Sequence, residues 1–300
     1  MRRLTPIRRL ARGGMAEVFL ARMDGPAGAA VGREVAVKRL LPHLVDDEET
    51  VELFLREAEL AATLDHPNIV EVLAVGTSDG TPYLVMERLV GTDLAALMAA
   101  EERRSRAFPV AIACAILAGA ARGLAHAHTR TDERGAPLGM VHRDVSPHNV
   151  FVTAAGRVKL LDFGIAKVRG RVLRTRTGQT RGKVGYMAPE QVAGLRVDAR
   201  SDIFSLGVVG WELLAGRGLW RDLDEAQCAR AVRDESVLPP SAYREGLDVE
   251  LEALIMRMLA KFPVARPSSA ADIAVALERI AGPVDAEAAL ARHLADVAAG

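Results

Sequence analysis

Asp144 is followed five residues later by Asn149, and Asp162 ends an apolar run just before Phe163-Gly164. Carboxylate and amide oxygens are hard ligands that suit magnesium. Any one of these residues alone reads equally well as a turn former, since Asp and Asn favour loops. A second constellation lies upstream. Val35-Ala36-Val37-Lys38 is an apolar strand ending in an ammonium, and Glu57 interrupts the apolar face of a helix expected over roughly Glu49 to Leu64, with Leu53, Leu60 and Leu64 beside it. A carboxylate on such a face needs a partner, and Lys38 is the natural one. Glu59 points elsewhere and reads as solvated.

The elements that must hold these residues divide in two. The first ninety residues alternate short β-branched segments with glycine turns, around Val18–Ala21, Glu34–Leu40, Ile69–Val75 and Tyr83–Glu87, with one helix among them. From Thr92 onward the pattern is mostly helical, with apolar-periodic runs at 109–128, 201–215, 248–260 and 269–281. A short hairpin is expected from Val150-Phe151-Val152 and Val158-Lys159-Leu160-Leu161, turning at Gly156, with the chemical candidates on its flanks. Residues 282–300, alanine-rich with mixed charges, read as a last helix or a frayed tail.

Bulk properties narrow the function classes. Of 300 residues half are apolar, enough for a sizeable core. Lys and Arg total 39 against 39 Asp and Glu, so the molecule as a whole has no electrostatic preference for nucleic acid or an anionic membrane. Cys114 and Cys228 have neither metal-ligand nor redox spacing, which points to a reducing compartment. The apolar run Pro109 to Ala121 is too short for a membrane span, and no signal peptide is evident, so a cytoplasmic protein is expected.

His142-Arg143-Asp144 with Asn149, then Asp162-Phe163-Gly164, resembles the catalytic loop and metal-binding motif of the eukaryotic-like serine/threonine protein kinases, including their bacterial members. The resemblance runs over residues 4 to 281, with Ala188-Pro189-Glu190, Asp202 and Arg266 where that family has its large-lobe anchors. It implies an α+β, bilobal fold: a small, mostly β N-lobe with one helix (1–89), a larger, mostly α C-lobe (90–281), the tail 282–300, and a nucleotide site in the cleft. It also implies ATP and Mg2+ (or Mn2+) as cofactors, with Ser or Thr hydroxyls of proteins as acceptors. On this reading Asp144 receives the acceptor proton, and Asn149 and Asp162 hold the metal. Lys38 contacts the nucleotide phosphates and Glu57 holds Lys38. Ala11, Gly13, Gly14 and Val18 stand in the glycine-rich loop, Ala36 in the following strand, and Met86, Glu87 and Leu89 in the hinge, where Met86 reads equally as core packing. Glu190 and Arg266 are expected to form a buried ion pair; Asp202 either binds the backbone near His142 and Arg143 or charges a helix start.

Several positions depart from the family pattern. Ala11 and Ala16 replace the outer glycines of the loop, and Ser146 stands where a lysine is usual. Lys183, in Gly182-Lys183-Val184-Gly185-Tyr186, stands where a threonine is usual, so we expect it to return the charge lost at Ser146; the rival reading is a surface lysine. The stretch 167–183 holds Lys167, Arg169, Arg171, Arg174, Arg176, Arg181 and Lys183 with no acidic residue. Together with Thr175, Thr177 and Thr180 it suggests autophosphorylation that orders the segment, or attraction of an acidic substrate. The departures keep open a nucleotide-binding pseudokinase acting as a scaffold, and a tyrosine acceptor.

Overall fold

The computed structural model describes residues 3–24, 32–163, 183–283 and 285–299. Gly164, the basic run from Lys167 to Arg181 and the threonines Thr175, Thr177 and Thr180 lie outside these. The chain forms two compact units that meet in sequence at Val90 and Gly91.

The first unit is an antiparallel five-stranded sheet with one helix. Its strands are β1 (Arg3–Arg12), β2 (Ala16–Asp24), β3 (Arg33–Leu40), β4 (Val72–Ser78) and β5 (Thr81–Glu87), in spatial order β1-β2-β3-β5-β4. Strand β1 carries four arginines and little alternation, so its pairing with β2 rather than its own pattern defines it. Side chains alternate across the pleat. Val35, Val37, Ala21, Met23 and Val85 form a core on one face. Opposite registers place Val18, Lys38 and Leu84, then Leu20, Ala36 and Met86, on the other.

Helix α1 (Glu48–Ala62) lies against β4 and β5. Its buried stripe is Thr50, Phe54 and Ala58, spaced four apart, rather than Leu53 and Leu60, which are only half-buried. The larger leucines attract the eye, but the helix approaches the sheet through small and flat side chains. Glu57 is thereby at the margin of the buried stripe.

The second unit opens with β6 (Gly91–Asp93), which joins β7 (Val150–Thr153) and β8 (Val158–Leu160) in a three-stranded sheet. Its helices are α2 (Leu94–Arg103), α3 (Val110–His128), α4 (Pro189–Val192), α5 (Ala199–Ala215), α6 (Glu225–Asp234), α7 (Val249–Met258), α8 (Ala270–Ala281) and α9 (Ala286–Ala299). Starts are capped by side chains where the sequence offers them: Asp93 to Ala96 N–H, Asp224 to Gln227 N–H, Asp248 to Leu251 N–H. Helices α3 and α5 are buried nearly all round, and Trp211 and Phe204 fill the space between them and the neighbouring helices.

Helix α3 is long and apolar enough to cross a membrane, contrary to the reading of its first part as too short. Its burial from Ile112 to Ala127 makes it a core helix. The last helix, α9, is packed on this unit through Leu290.

Candidate active site

In the first unit, β3 carries Lys38 to within 3.6 Å of Glu57 on α1, and both side chains are mostly buried. Val18, Ala36 and Met86 share the sheet face of Lys38, and Ala11 pairs with Val18. The turn between β1 and β2 closes through Gly13 N–H to the Ala16 carbonyl at 2.8 Å. Neither Ala11 nor Ala16 has a positive φ, so the alanines in place of glycine carry no backbone strain. At the end of β5, Glu87 N–H donates to the Glu71 carbonyl, and Glu71 N–H donates to the Glu87 carboxylate.

In the second unit the loop after α3 is fixed from below by Asp202, the fourth residue of α5 and fully buried. Its Oδ2 accepts from His142 N–H at 2.7 Å and its Oδ1 from Arg143 N–H at 2.8 Å. His128 Nε2 lies 2.8 Å from the same Oδ2, a partner that no sequence spacing announced. Arg143 has φ +64°, and Gln191 Nε2 donates to its carbonyl at 3.1 Å. A left-handed non-glycine backbone costs about 1–3 kcal/mol and persists only when its surroundings hold it; here Asp202 and Gln191 do.

His142 is wholly buried, which lowers its pKa, so the ring is neutral. Its Nδ1 accepts from Asp144 N–H at 3.3 Å, which puts the proton on Nε2, donated to the Leu161 carbonyl at 2.8 Å. The ring packs on Phe163 in a tilted arrangement, 4.5 Å between centroids and 41° between planes. The loop before Asn149 is thus tied to the segment bearing Asp162. The β7–β8 hairpin does the same from the other side: Leu161 N–H donates to the Asn149 carbonyl at 2.9 Å, holding Asn149 and Asp162 at the open end of the hairpin.

Around Asp144 three groups converge. Asn149 Nδ2 donates to the Asp144 carbonyl at 2.7 Å and to Asp144 Oδ2 at 3.0 Å. Lys183 Nζ donates to the same Oδ2 at 3.0 Å. Ser146 is buried, and its hydroxyl has no hydrogen-bond partner among the described residues. The lysine sits at the start of a 3-10 turn, Lys183–Tyr186, pinned by Tyr186 O–H to Glu212 at 2.6 Å and by Trp220 Nε1–H to the Gly185 carbonyl at 2.9 Å. Burial raises the pKa of both Tyr186 and Glu212. The sequence placed Tyr186 in the Lys183 segment but gave no sign of its partner Glu212, and Trp220 lies in no motif.

The donor set fits a hard divalent cation. Asn149 bonds to Asp144 through its amide nitrogen, and Asn149 and Asp162 lie at the same end of the hairpin. No group of three or more His, Cys, Asp or Glu that could hold a metal ion occurs among the described residues. Phosphate oxygens and water would therefore complete the shell.

Further down, Arg266 clasps Glu190 through both guanidinium nitrogens at 2.7 and 2.8 Å, and Ser201 O–H adds a third bond at 2.5 Å. Burial alone would raise the Glu190 pKa, but these hydrogen bonds outweigh it and hold the carboxyl below its ordinary value.

A sheet carrying a Lys–Glu pair, together with a helical unit that fixes an Asp–Asn–Asp set, defines a protein kinase catalytic domain. Residues 4–277 match the protein kinase domain, and the chain belongs to that family. It is 43% identical over 272 residues to the tyrosine-protein kinase MasK of Myxococcus xanthus, covering 91% of this chain and 42% of that protein. It is 37% identical over 273 residues to the serine/threonine-protein kinase PknB of Mycobacterium leprae, covering 89% and 41%. The chain spans about two fifths of the length of these curated relatives. Among solved structures, the Mycobacterium tuberculosis PknI kinase domain superposes with a TM-score of 0.69 at 33% identity, covering 93% of this chain and 96% of that one. The family generally carries out phosphoryl transfer from ATP with a divalent cation.

Proposed function

We propose that this chain phosphorylates Ser and Thr side chains of proteins, with Asp144 as the residue that orients and deprotonates the acceptor hydroxyl. The observation that carries this reading is the convergence of Asn149 Nδ2 and Lys183 Nζ on Asp144 Oδ2, each at 3.0 Å. A scaffold without turnover has no use for a carboxylate held this closely. Lys183 supplies the cation that Ser146 does not, next to where negative charge moves onto the transferring phosphoryl. Lys38, positioned by Glu57, meets the nucleotide phosphates. Ala11, Gly13, Gly14, Val18 and Ala36 cover the nucleotide, Met86, Glu87 and Leu89 take its adenine, and Asn149 and Asp162 hold magnesium or manganese. Residues 1–89 and 90–281 act as the two lobes. Phosphorylation at Thr175, Thr177 or Thr180 would bring about two negative charges toward Arg143 and the basic residues around these threonines.

The Ser/Thr assignment is supported by Val145-Ser146-Pro147-His148 and by relatives such as PknB. A tyrosine acceptor is the second reading, favoured by the printed name of MasK and by the departures at positions 146 and 183. Radiolabelled ATP with myelin basic protein, followed by phosphoamino-acid analysis, separates them. Phosphoserine or phosphothreonine, absent with Asp144→Asn, is expected; phosphotyrosine alone selects the second reading, and no transfer at all returns the chain to the scaffold class.

A further inference from the structure

Beside the Asp144 loop the second unit contains a cavity of about 230 Å³. Pro147 and His148 of the loop and Tyr186 of the Lys183 turn line one side, and the end of α2 with its following loop, through Glu101, Arg106 and Phe108, lines the other. The cavity borders the loop that carries Asp144 and the turn that carries Lys183, so it lies next to the proposed acceptor site.

Each of those three far-wall residues is touched by the tail helix α9. His293 Nε2 stands 3.5 Å from Glu101 Oε1, both mostly buried, and its ring lies 5.5 Å from that of Phe108. Arg106 Nη1 is 3.4 Å from Asp296 Oδ2. Arg104, which is not part of the cavity wall, donates through Nη2 to the carbonyls of Asp296 and Val297 at 3.0 Å each. Those are carbonyls of the last turn of α9, where the helix has no internal partners to offer. Arg104 therefore caps α9 while sitting at the C-terminal cap of α2. At its other end α9 runs so close to the β7–β8 turn that a Cβ on Gly156 would fall 1.8 Å from the Glu287 carbonyl. Arg157 Nε adds an ion pair to Glu287 at 3.3 Å. Leu290 is buried between these anchor points.

We infer that α9 is a positioning element for acceptor binding: by holding Glu101, Arg106 and Phe108 it sets the far wall of the cavity beside Asp144. This rests on the phosphotransfer reading above and adds to it which part of the chain governs acceptor affinity. Helix α9 touches no acceptor itself. Its loss would loosen α2 and weaken acceptor binding, leaving nucleotide binding as it was.

The test compares wild type, Arg104→Ala, Arg104→Lys and Leu290→Ser in the full chain, measuring KM for myelin basic protein and for ATP. Arg104→Ala and Leu290→Ser are expected to raise the acceptor KM about three- to tenfold with the ATP KM within about twofold, and Arg104→Lys to restore part of the loss. An unchanged acceptor KM overturns the inference. So does an equal fall of activity toward both substrates, which marks a purely structural helix. Should the wild type transfer no phosphate, the phosphotransfer reading fails by itself, and amide exchange decides the coupling. Faster exchange confined to residues 94–108 and α9 in Arg104→Ala upholds it, and unchanged exchange there contradicts it.

Discussion

Lys183 Nζ and Asp144 Oδ2 are 3.0 Å apart although 39 residues separate them in sequence. The lysine is two-fifths exposed, so the pair adds at most about 1 kcal/mol to stability. On the proposed reading its value lies in the charge it keeps beside Asp144. Lys183→Ala should shift the melting temperature by less than about 3 °C, read by calorimetry, which separates a chemical role from a structural one.

The Lys38–Glu57 pair, at 3.6 Å with both groups mostly buried, is expected to act as a unit. Lys38→Met should lower kcat by about 10²–10³-fold, and Glu57→Gln by a smaller factor in the same direction, in steady-state assays at saturating ATP. Because the two residues share one interaction, the double variant should be little worse than Lys38→Met alone.

Removing Arg266 leaves the Glu190 carboxylate buried without its clasp, and Arg266→Ala should cost about 3–5 kcal/mol in chemical denaturation. The pH dependence has a definite sign. The Glu190 pKa is depressed in the folded state, so the pair's contribution is complete above the unfolded carboxyl value of about 4.3 and is lost as pH falls through the folded value. Wild type should therefore lose more stability than Glu190→Gln on acidification from about pH 5 to 3.

Asp202→Ala strips acceptors from His142 N–H, Arg143 N–H and His128 Nε2 together. With φ +64° at Arg143 no longer held, the loop should relax and displace Asp144. A loss of about 2–4 kcal/mol and a kcat fall beyond about tenfold are expected, the first by denaturation and the second by phosphate transfer.

Much of the site could be read from the sequence because its residues cluster locally. Asp144, Asn149 and Asp162 flank one hairpin, and Val150–Thr153 and Val158–Leu160 carry the alternation and glycine turn that announce it. The Lys38–Glu57 pair was legible from a carboxylate next to an apolar stripe, although the stripe proved to be Thr50, Phe54 and Ala58. Strand β1 was invisible for want of alternation, and β6 for want of length. Helices α2 and α6 were missed because few of their residues are buried, three in each. The strand expected at Ile69–Val75 lies at Val72–Ser78, since Ile69 and Val70 are buried before the pairing begins. His128, Tyr186, Trp220 and α9 act across long sequence distances, where a single chain carries no spacing to signal contact.

The central claim is that the phosphate-side cation of this kinase site comes from position 183. The most direct measurement is kcat for phosphate transfer, at saturating ATP, in wild type, Lys183→Ala, and the exchange variant Ser146→Lys with Lys183→Thr. A fall of about ten- to a hundredfold in Lys183→Ala, largely recovered in the exchange variant, is the expected result. Full activity in Lys183→Ala would contradict the claim.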